Sequence, residues 1–133
     1  MKNYTFNINP VKVEKISTKN RKIHTSIPAP GTKQKLDYLQ SIESRSMQGQ
    51  LPILWDKASN FNVFDFKGNK WIDFTSTIFV ANIGHSNKQL IKNIKKLFNK
   101  NPISTYAYAN KQRIIYQKML LDFAGNNFDK AYL

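Results

Sequence analysis

Hydrophobic positions change their spacing several times along this chain, and the first change separates an arm from a helix. Residues 1–31 are mainly polar, and the prolines and glycine near their end cannot lie inside a helix, so we predict an irregular amino-terminal arm. An apolar stripe at helical spacing then predicts a helix over about 33–47, with Thr32 as its N-cap. Gly49 and Pro52 end this helix.

Two aromatic-rich runs with alternating polar positions follow the helix and predict a β-hairpin. The runs, 62–66 and 70–74, flank a short connection at 67–69 that contains glycine and asparagine. This arrangement is typical of paired antiparallel strands. Asp65 and Asp73 fall one on each strand, where we interpret them as polar positions of the hairpin. A glycosidase-type carboxylate pair is the alternative for these two residues.

Two further helices are predicted in the second half of the chain. The first begins at Ser86 and stops before Pro102, and the second runs from about Lys111 to Phe123. The apolar face of the first contains Leu90, Ile91, Ile94, Leu97 and Phe98. Residues 130–133 then have the character of a strand beginning. Such a strand needs a sheet to join, so we expect the chain to be the amino-terminal piece of a larger α/β protein.

These elements together predict an α+β fold class: an arm and a helix, a small antiparallel β-hairpin, and two more helices. The apolar faces of three helices exceed what one hairpin can cover. We therefore expect exposed apolar patches on the chain by itself.

Composition adds a strong positive charge to this picture. The 133 residues carry a net charge of +13, from 18 lysines but only three arginines. Scattered lysines with little arginine favour a solvated surface over specific nucleic-acid contacts. A small basic nucleic-acid-binding module remains the alternative function. It requires Lys92, Lys95 and Lys96 to share a face beside Tyr106 and Tyr108, which could stack on bases.

Other features narrow the chemistry further. The chain has no cysteine, no apolar run long enough to cross a bilayer and no secretory signal, which predicts a cytoplasmic protein without a membrane partner. His24 and His85 are far apart and lack a nearby ligand pattern, so no metal site is predicted. Phosphate-binding glycine patterns and nucleophile motifs are also missing from the sequence. We therefore assign no catalytic, cofactor-binding or metal-binding residue to this chain.

The middle of the chain resembles the class III aminotransferases, pyridoxal-phosphate enzymes of fold type I. Residues 63–74, VFDFKGNKWIDF, resemble the family's V-x-D-x-x-G-N-x-[YW]-[IL]-D-F hairpin. Residues 80–86, VANIGHS, resemble its V-x-N-x-G-H turn, and residues 52–58 its opening strand. Upstream, residues 21–30 are similar to a proline-containing arm of some members. At position 77 this chain has threonine, whereas many members of the family have glycine.

The resemblance implies a supporting part in amino-group transfer between an amino donor and a 2-oxo acid. Complete members bind pyridoxal phosphate and form homodimers. Their Ser-Gly-Ser/Thr-Glu-Ala phosphate turn, the aspartate for the pyridine nitrogen and the Schiff-base lysine all come later than the part resembled here. Residues 32–133 are thus implied to be the beginning of the aminotransferase domain, cut before its cofactor-binding large domain.

The implied consequences for this chain concern its partners and four residues. We expect it to bind no cofactor by itself, to be inactive alone, and to need the rest of an aminotransferase chain as its partner. The resemblance implies that Ile78 and Phe79 contact substrate, with Tyr106 and Tyr108 as further candidates. Packing is the alternative role for all four.

Overall fold

A computed structural model describes residues 6–47, 50–99, 104–105 and 107–133 of the chain. The chain divides into two compact units between Ile91 and Lys92. The first unit contains a sheet and a helix, and the second is helical. The described helices are all too short or too polar to cross a membrane.

A five-stranded antiparallel sheet forms the centre of the first unit, with strand order β1-β2-β5-β4-β3. Its strands are β1 (Ile16–Ser17), β2 (Lys22–Ile23), β3 (Trp55–Ser59), β4 (Asn62–Asp65) and β5 (Lys70–Ile72). The predicted hairpin is confirmed as β4 and β5, in which Val63 lies opposite Trp71. β3 covers the other edge of β4, with Ala58 opposite Val63.

The amino-terminal arm is more ordered than the prediction of an irregular segment. Its two short strands pair with each other, and Lys22 of β2 pairs with Lys70 of β5. Further along, Val11 and Ile27 exchange both backbone hydrogen bonds, at 2.9 Å each. The arm therefore extends the hairpin into a wider sheet, which no local sequence pattern indicated.

The first helix, α1 (Thr32–Ile42), is shorter than the predicted 33–47, and a separate 3-10 turn covers Arg45–Met47. Glu43 interrupts them because its backbone is extended, with φ −101° and ψ 150°. The prediction of Thr32 as the N-cap is wrong. Gly31 takes that place with φ +91°, a conformation that glycine adopts without steric cost.

The two later helices are confirmed close to their predicted bounds. They are α2 (Lys88–Phe98) and α3 (Lys111–Ala124). Each begins after an asparagine whose side-chain oxygen accepts a hydrogen bond from the third residue along, at 3.0 Å for Asn87 and 2.9 Å for Asn110. Asparagine is a strong N-cap residue, so these caps set where the helices begin.

The strand predicted at residues 130–133 does not form. These residues have no regular structure, and within the described residues no strand pairs with them. The carbonyl of Ala131 instead accepts a hydrogen bond from the side chain of Gln117 in α3, at 3.1 Å. A β-strand needs a neighbour to satisfy its backbone groups, and the apolar pattern alone does not supply one.

Few side chains are enclosed in either unit. The buried apolar residues among those described are Ile23, Pro28, Ala29 and Val63, all in the first unit. They are accompanied by three buried polar residues, Thr32, Asp65 and Asn69. Hydrogen bonds between polar side chains and the backbone therefore carry much of the organisation of the sheet.

Candidate functional site

Asp65 closes the turn of the β4–β5 hairpin from inside. Its Oδ1 accepts the backbone N–H groups of Lys67 and Asn69, each at 3.0 Å. Its Oδ2 accepts the Asn69 amide at 2.8 Å and the Trp71 indole N–H at 3.3 Å. With only 2% of its surface exposed, Asp65 is a polar position buried inside the hairpin turn. The free backbone N–H groups of the turn draw the carboxylate inward.

Asn69 ties the amino-terminal arm to this hairpin. Its side-chain oxygen accepts the backbone N–H groups of His24, at 2.9 Å, and Thr25, at 3.3 Å. Its amide group donates to the Thr25 hydroxyl at 2.7 Å, in addition to its bond to Asp65. One fully buried side chain therefore satisfies groups on two segments 45 residues apart. This gives the Asp-x-x-Gly-Asn pattern a structural role in fixing the sheet.

Asp73 directly follows β5 and gathers four hydrogen bonds. Its Oδ1 accepts the backbone N–H of Thr75 at 3.0 Å and the Thr75 hydroxyl at 2.9 Å. Its Oδ2 accepts the backbone N–H of Thr77 at 3.0 Å and faces Nε2 of His85 at 2.8 Å. The side chain is only 4% exposed. Asp65 and Asp73 thus belong to two separate networks, and neither serves as the free partner of a glycosidase-type pair.

The protonation of Asp73 follows from these contacts. Burial by itself would raise the pKa of this carboxyl group, but hydrogen bonds from His85, Thr75 and Thr77 outweigh it and leave the pKa below the ordinary value. Asp73 is therefore an anion at neutral pH. An anionic carboxylate only accepts hydrogen bonds, so Nε2 of His85 carries the proton that joins the two side chains.

His85 is held in place from several sides. Its ring meets the Trp55 ring edge-on, with centroids 5.7 Å apart. Its backbone exchanges two hydrogen bonds with Asn60, at 2.7 and 2.8 Å. The preceding Gly84 has φ +85°, and a Cβ there would lie 3.3 Å from the Asn60 Cα, so glycine is required for this close approach. The Gly-His pair therefore anchors an imidazole at the edge of the sheet.

Between Asp73 and His85 the chain makes one turn of left-handed helix. Ser76, Thr77, Ile78 and Phe79 all have positive φ, from +48° to +66°. The turn is closed by hydrogen bonds of 2.8 Å from Phe79 N–H to the Thr75 carbonyl and from Val80 N–H to the Ser76 carbonyl. Left-handed helical backbone costs about 1–2 kcal/mol per residue for side chains other than glycine. We name Ser76–Phe79 the left-handed turn.

The predicted substrate-side residues Ile78 and Phe79 both lie on the left-handed turn. Their side chains are 66% and 79% exposed, and Phe74 and Val80 beside them are also exposed. The turn therefore presents an apolar surface to solvent. Contact with a substrate remains a prediction for both residues.

Of the two tyrosines predicted as further contacts, Tyr108 belongs to the second unit. Tyr108 is 80% exposed, and its backbone N–H bonds to the Thr105 carbonyl at 2.8 Å. Tyr106 lies outside the described residues. The stacking platform that a nucleic-acid module requires therefore stays a prediction. The lysines of α2 are exposed, as a solvated surface would have them.

Sequence reasoning missed the roles of Asp73, His85 and Asn69. A signal was present for Asp73, because an aspartate two residues before a threonine commonly accepts hydrogen bonds from the backbone that follows. The signal for His85 was its position after a glycine. Neither pattern revealed that the two side chains meet across the left-handed turn, which depends on the fold.

The described residues do not fit a pyridoxal-phosphate site. An imine-forming lysine is activated by removal from water or by a neighbouring cation, but every lysine that the structure describes keeps part of its surface exposed. Nor do the described residues bring together three histidine, aspartate or glutamate side chains that could hold a metal ion. Binding and orientation are what this arrangement can contribute chemically.

Comparisons with known proteins agree with the motifs. A family model described as aminotransferase class-III matches residues 43–133. The mitochondrial ornithine aminotransferase of Arabidopsis thaliana is 24% identical over 96 residues, which cover 72% of this chain and 20% of that protein. The acetylornithine aminotransferase of Methanocaldococcus jannaschii is 29% identical over 84 residues, covering 63% and 21%. The chain thus spans about a fifth of the length of these curated relatives.

Solved structures show the same relationship at the level of the fold. The acetylornithine aminotransferase from Elizabethkingia anophelis superposes with a TM-score of 0.64 at 21% identity, covering 74% of this chain and 25% of that one. These relatives give no support to a nucleic-acid-binding module.

Proposed function

The chain belongs to the class III aminotransferase family, and from that premise we propose that it forms the amino-terminal part of an enzyme that transfers an amino group from an amino donor to a 2-oxo acid. The observation that carries this proposal is the family match over residues 43–133, which includes Asp73, the left-handed turn and His85. Its relatives are about five times longer than the matched stretch, so the proposal assigns the remaining chemistry to polypeptide beyond these 133 residues.

We assign the pyridoxal phosphate of the proposed enzyme to that other polypeptide. When bound, this cofactor supplies an electron sink for chemistry at the carbon that carries the amino group. The exposure of the described lysines supports the assignment, because none resembles an amine withdrawn from water. The chain's own part is then to shape the substrate side of the active site.

In this proposal Ile78 and Phe79 contact the apolar part of the substrate. Both side chains project from the left-handed turn and are largely exposed in the chain alone. Covering them would remove apolar surface from water and exclude water from the reacting groups. Tyr106 and Tyr108 are proposed as further contacts with the substrate or a neighbouring domain.

The complete protein is proposed to be a homodimer, as the family resemblance implies, and to act in the cytoplasm. The exposed apolar residues of α2 and α3 support a covering partner, and the proposal names the rest of the aminotransferase polypeptide as that partner. Light scattering on a chain joined to the family's remaining domains should give twice the mass of one chain.

A chimera tests the function. Residues 43–133 would replace the matching segment of the Methanocaldococcus jannaschii acetylornithine aminotransferase, and cofactor absorbance and amino transfer would be measured. We expect the chimera to bind pyridoxal phosphate and to transfer amino groups. The matched control carries Gly84→Val, which should remove activity because a side chain at Gly84 would collide with Asn60. A chimera that melts cooperatively but binds no cofactor would contradict the proposal.

A further inference from the structure

The left-handed turn is built from residues that do not favour its conformation. Ser76, Thr77, Ile78 and Phe79 follow one another with φ of +48°, +54°, +57° and +66°. Residues other than glycine visit this region singly, and a β-branched residue there is a genuine outlier. Two of the four, Thr77 and Ile78, are β-branched. Such a segment persists only when its surroundings hold it in place.

The Asp73 carboxylate supplies much of that hold. Three of its four hydrogen bonds come from the turn or the residue just before it: the Thr75 N–H and hydroxyl, and the Thr77 N–H. Hydrogen bonds to an ionised acceptor are roughly twice as strong as those between neutral groups. Because Thr77 N–H points at Oδ2, the carboxylate fixes the direction of the backbone inside the turn.

His85 keeps the carboxylate in position. Its Nε2 lies 2.8 Å from the same Oδ2 that accepts Thr77 N–H. The imidazole itself cannot shift easily, because it packs edge-on against Trp55 and its backbone is paired with Asn60. The sheet edge, the imidazole, the carboxylate and the turn thus form one continuous chain of contacts.

We propose that Asp73 and His85 are positioning residues that hold the left-handed turn, and that through it they set the direction in which Ile78 and Phe79 are presented to the substrate. The last clause rests on the proposed function, whereas the hold on the turn concerns this chain alone. Asparagine could not replace Asp73, because its amide has one accepting atom, whereas both carboxylate oxygens accept here.

Nuclear magnetic resonance on the full 133-residue chain tests the hold. Positive φ shortens the distance between a residue's own amide and Hα protons, so Thr77 and Ile78 should show strong intraresidue cross-peaks in the unchanged chain. In Asp73→Asn we expect these cross-peaks to weaken to the level of ordinary loop residues. Amide exchange at Thr77 should become at least about tenfold faster, since a hydrogen bond to a charged acceptor is lost.

A second variant keeps the test decisive if Asp73→Asn fails to fold. His85→Phe retains a ring against Trp55 but removes the bond to Asp73, and it should also weaken the Thr77 cross-peak. Val63 and Trp71 signals report whether the sheet is intact.

The matched control is Asp56→Asn, which removes an exposed carboxylate from β3 of the same sheet and should leave the turn unchanged. Cross-peaks at Thr77 and Ile78 that persist in both Asp73→Asn and His85→Phe, with the sheet signals intact, would overturn the proposal. The measurement needs neither cofactor nor catalysis. Its outcome is therefore separate from the outcome of the chimera.

Discussion

At the scale of single residues, two carboxylates organise this chain, and sequence patterns identified their positions but not their partners. Asp65 and Asn69 form one network inside the hairpin turn, and Asp73 and His85 form another at the end of β5. The motif residues could be found because they stand at fixed offsets in a recognisable hairpin. Their partners could not, because His85 is 12 residues from Asp73 and Asn69 binds a segment 45 residues away.

Replacing Asn69 by alanine should lower the free energy of unfolding by about 2–4 kcal/mol. The change leaves Asp65, Thr25 and the His24 backbone without a shared partner, and an unsatisfied buried polar group costs about 1–3 kcal/mol. Urea unfolding followed by tryptophan fluorescence measures the effect. The exposed Asn127→Ala is the control, and equal stability of the two variants would refute the role given to Asn69.

Thr77→Gly should raise the free energy of unfolding by up to about 1.5 kcal/mol. The change removes about 1–2 kcal/mol of left-handed strain from the folded chain. It also lowers stability by about 0.4–1 kcal/mol, because glycine gives the unfolded chain more conformational freedom. The control is Lys12→Gly, at an exposed position of the arm where φ is not positive. It should destabilise the chain, because glycine relieves no strain there and makes the unfolded chain more flexible. A Thr77→Gly variant less stable than the unchanged chain would show that the turn is not strained.

Acid should weaken the Asp73 network in a defined direction. The folded pKa of this carboxyl group lies below the ordinary value, so its contribution to stability is complete above the unfolded pKa of about 3.9 and disappears as pH falls through the folded pKa. The difference in unfolding free energy between the unchanged chain and Asp73→Asn should therefore shrink as pH falls below about 4. A difference independent of pH down to full protonation would contradict this.

At the scale of elements, local patterns predicted the hairpin and the two later helices, and long-range contacts decided the rest. The β4–β5 hairpin, α2 and α3 each have their periodicity and end signals within a few residues. The strands of the arm depend on Asn69 and on pairing of Lys22 with Lys70, so no window of sequence around them could indicate a strand. The left-handed turn carries no glycine, which removed the usual sign of positive φ.

The cap of α3 offers a direct measurement at this scale. Asn110→Ala removes the side-chain oxygen that accepts the Arg113 N–H, and loss of an N-cap costs about 1 kcal/mol of helix stability. We expect lower helicity in the far-ultraviolet circular dichroism spectrum and earlier melting of the helix. Asn126→Ala, at an exposed position after the helix, should leave the spectrum unchanged. Equal spectra for the two variants would argue against the cap.

At the scale of the whole molecule, the chain encloses very little apolar surface within the described residues. Four apolar side chains are buried in the first unit, and no described residue of the second unit is buried. Large apolar residues of α2, α3 and the left-handed turn stay exposed, which confirms the exposed patches predicted from the helical faces. The sequence could predict this exposure because the apolar faces of three predicted helices have more area than one small sheet can cover.

Exposed apolar surface of this extent should bind a hydrophobic dye. Anilinonaphthalene sulfonate fluorescence should rise strongly with the unchanged chain and fall when Leu97→Lys and Met119→Lys are introduced on α2 and α3. Lys118→Leu, at an exposed polar position of α3, is the opposite control and should raise the signal. A chain that binds no dye would contradict the exposure of these faces.

In the function proposed above, this chain shapes the substrate side of an aminotransferase whose cofactor-binding groups lie in other polypeptide. The most direct measurement is to titrate the purified 133-residue chain with pyridoxal phosphate, reduce it with borohydride and map the modified lysines by mass spectrometry. We predict slow, unsaturable modification spread over many exposed lysines. Saturable, one-to-one labelling of a single lysine would contradict the claim.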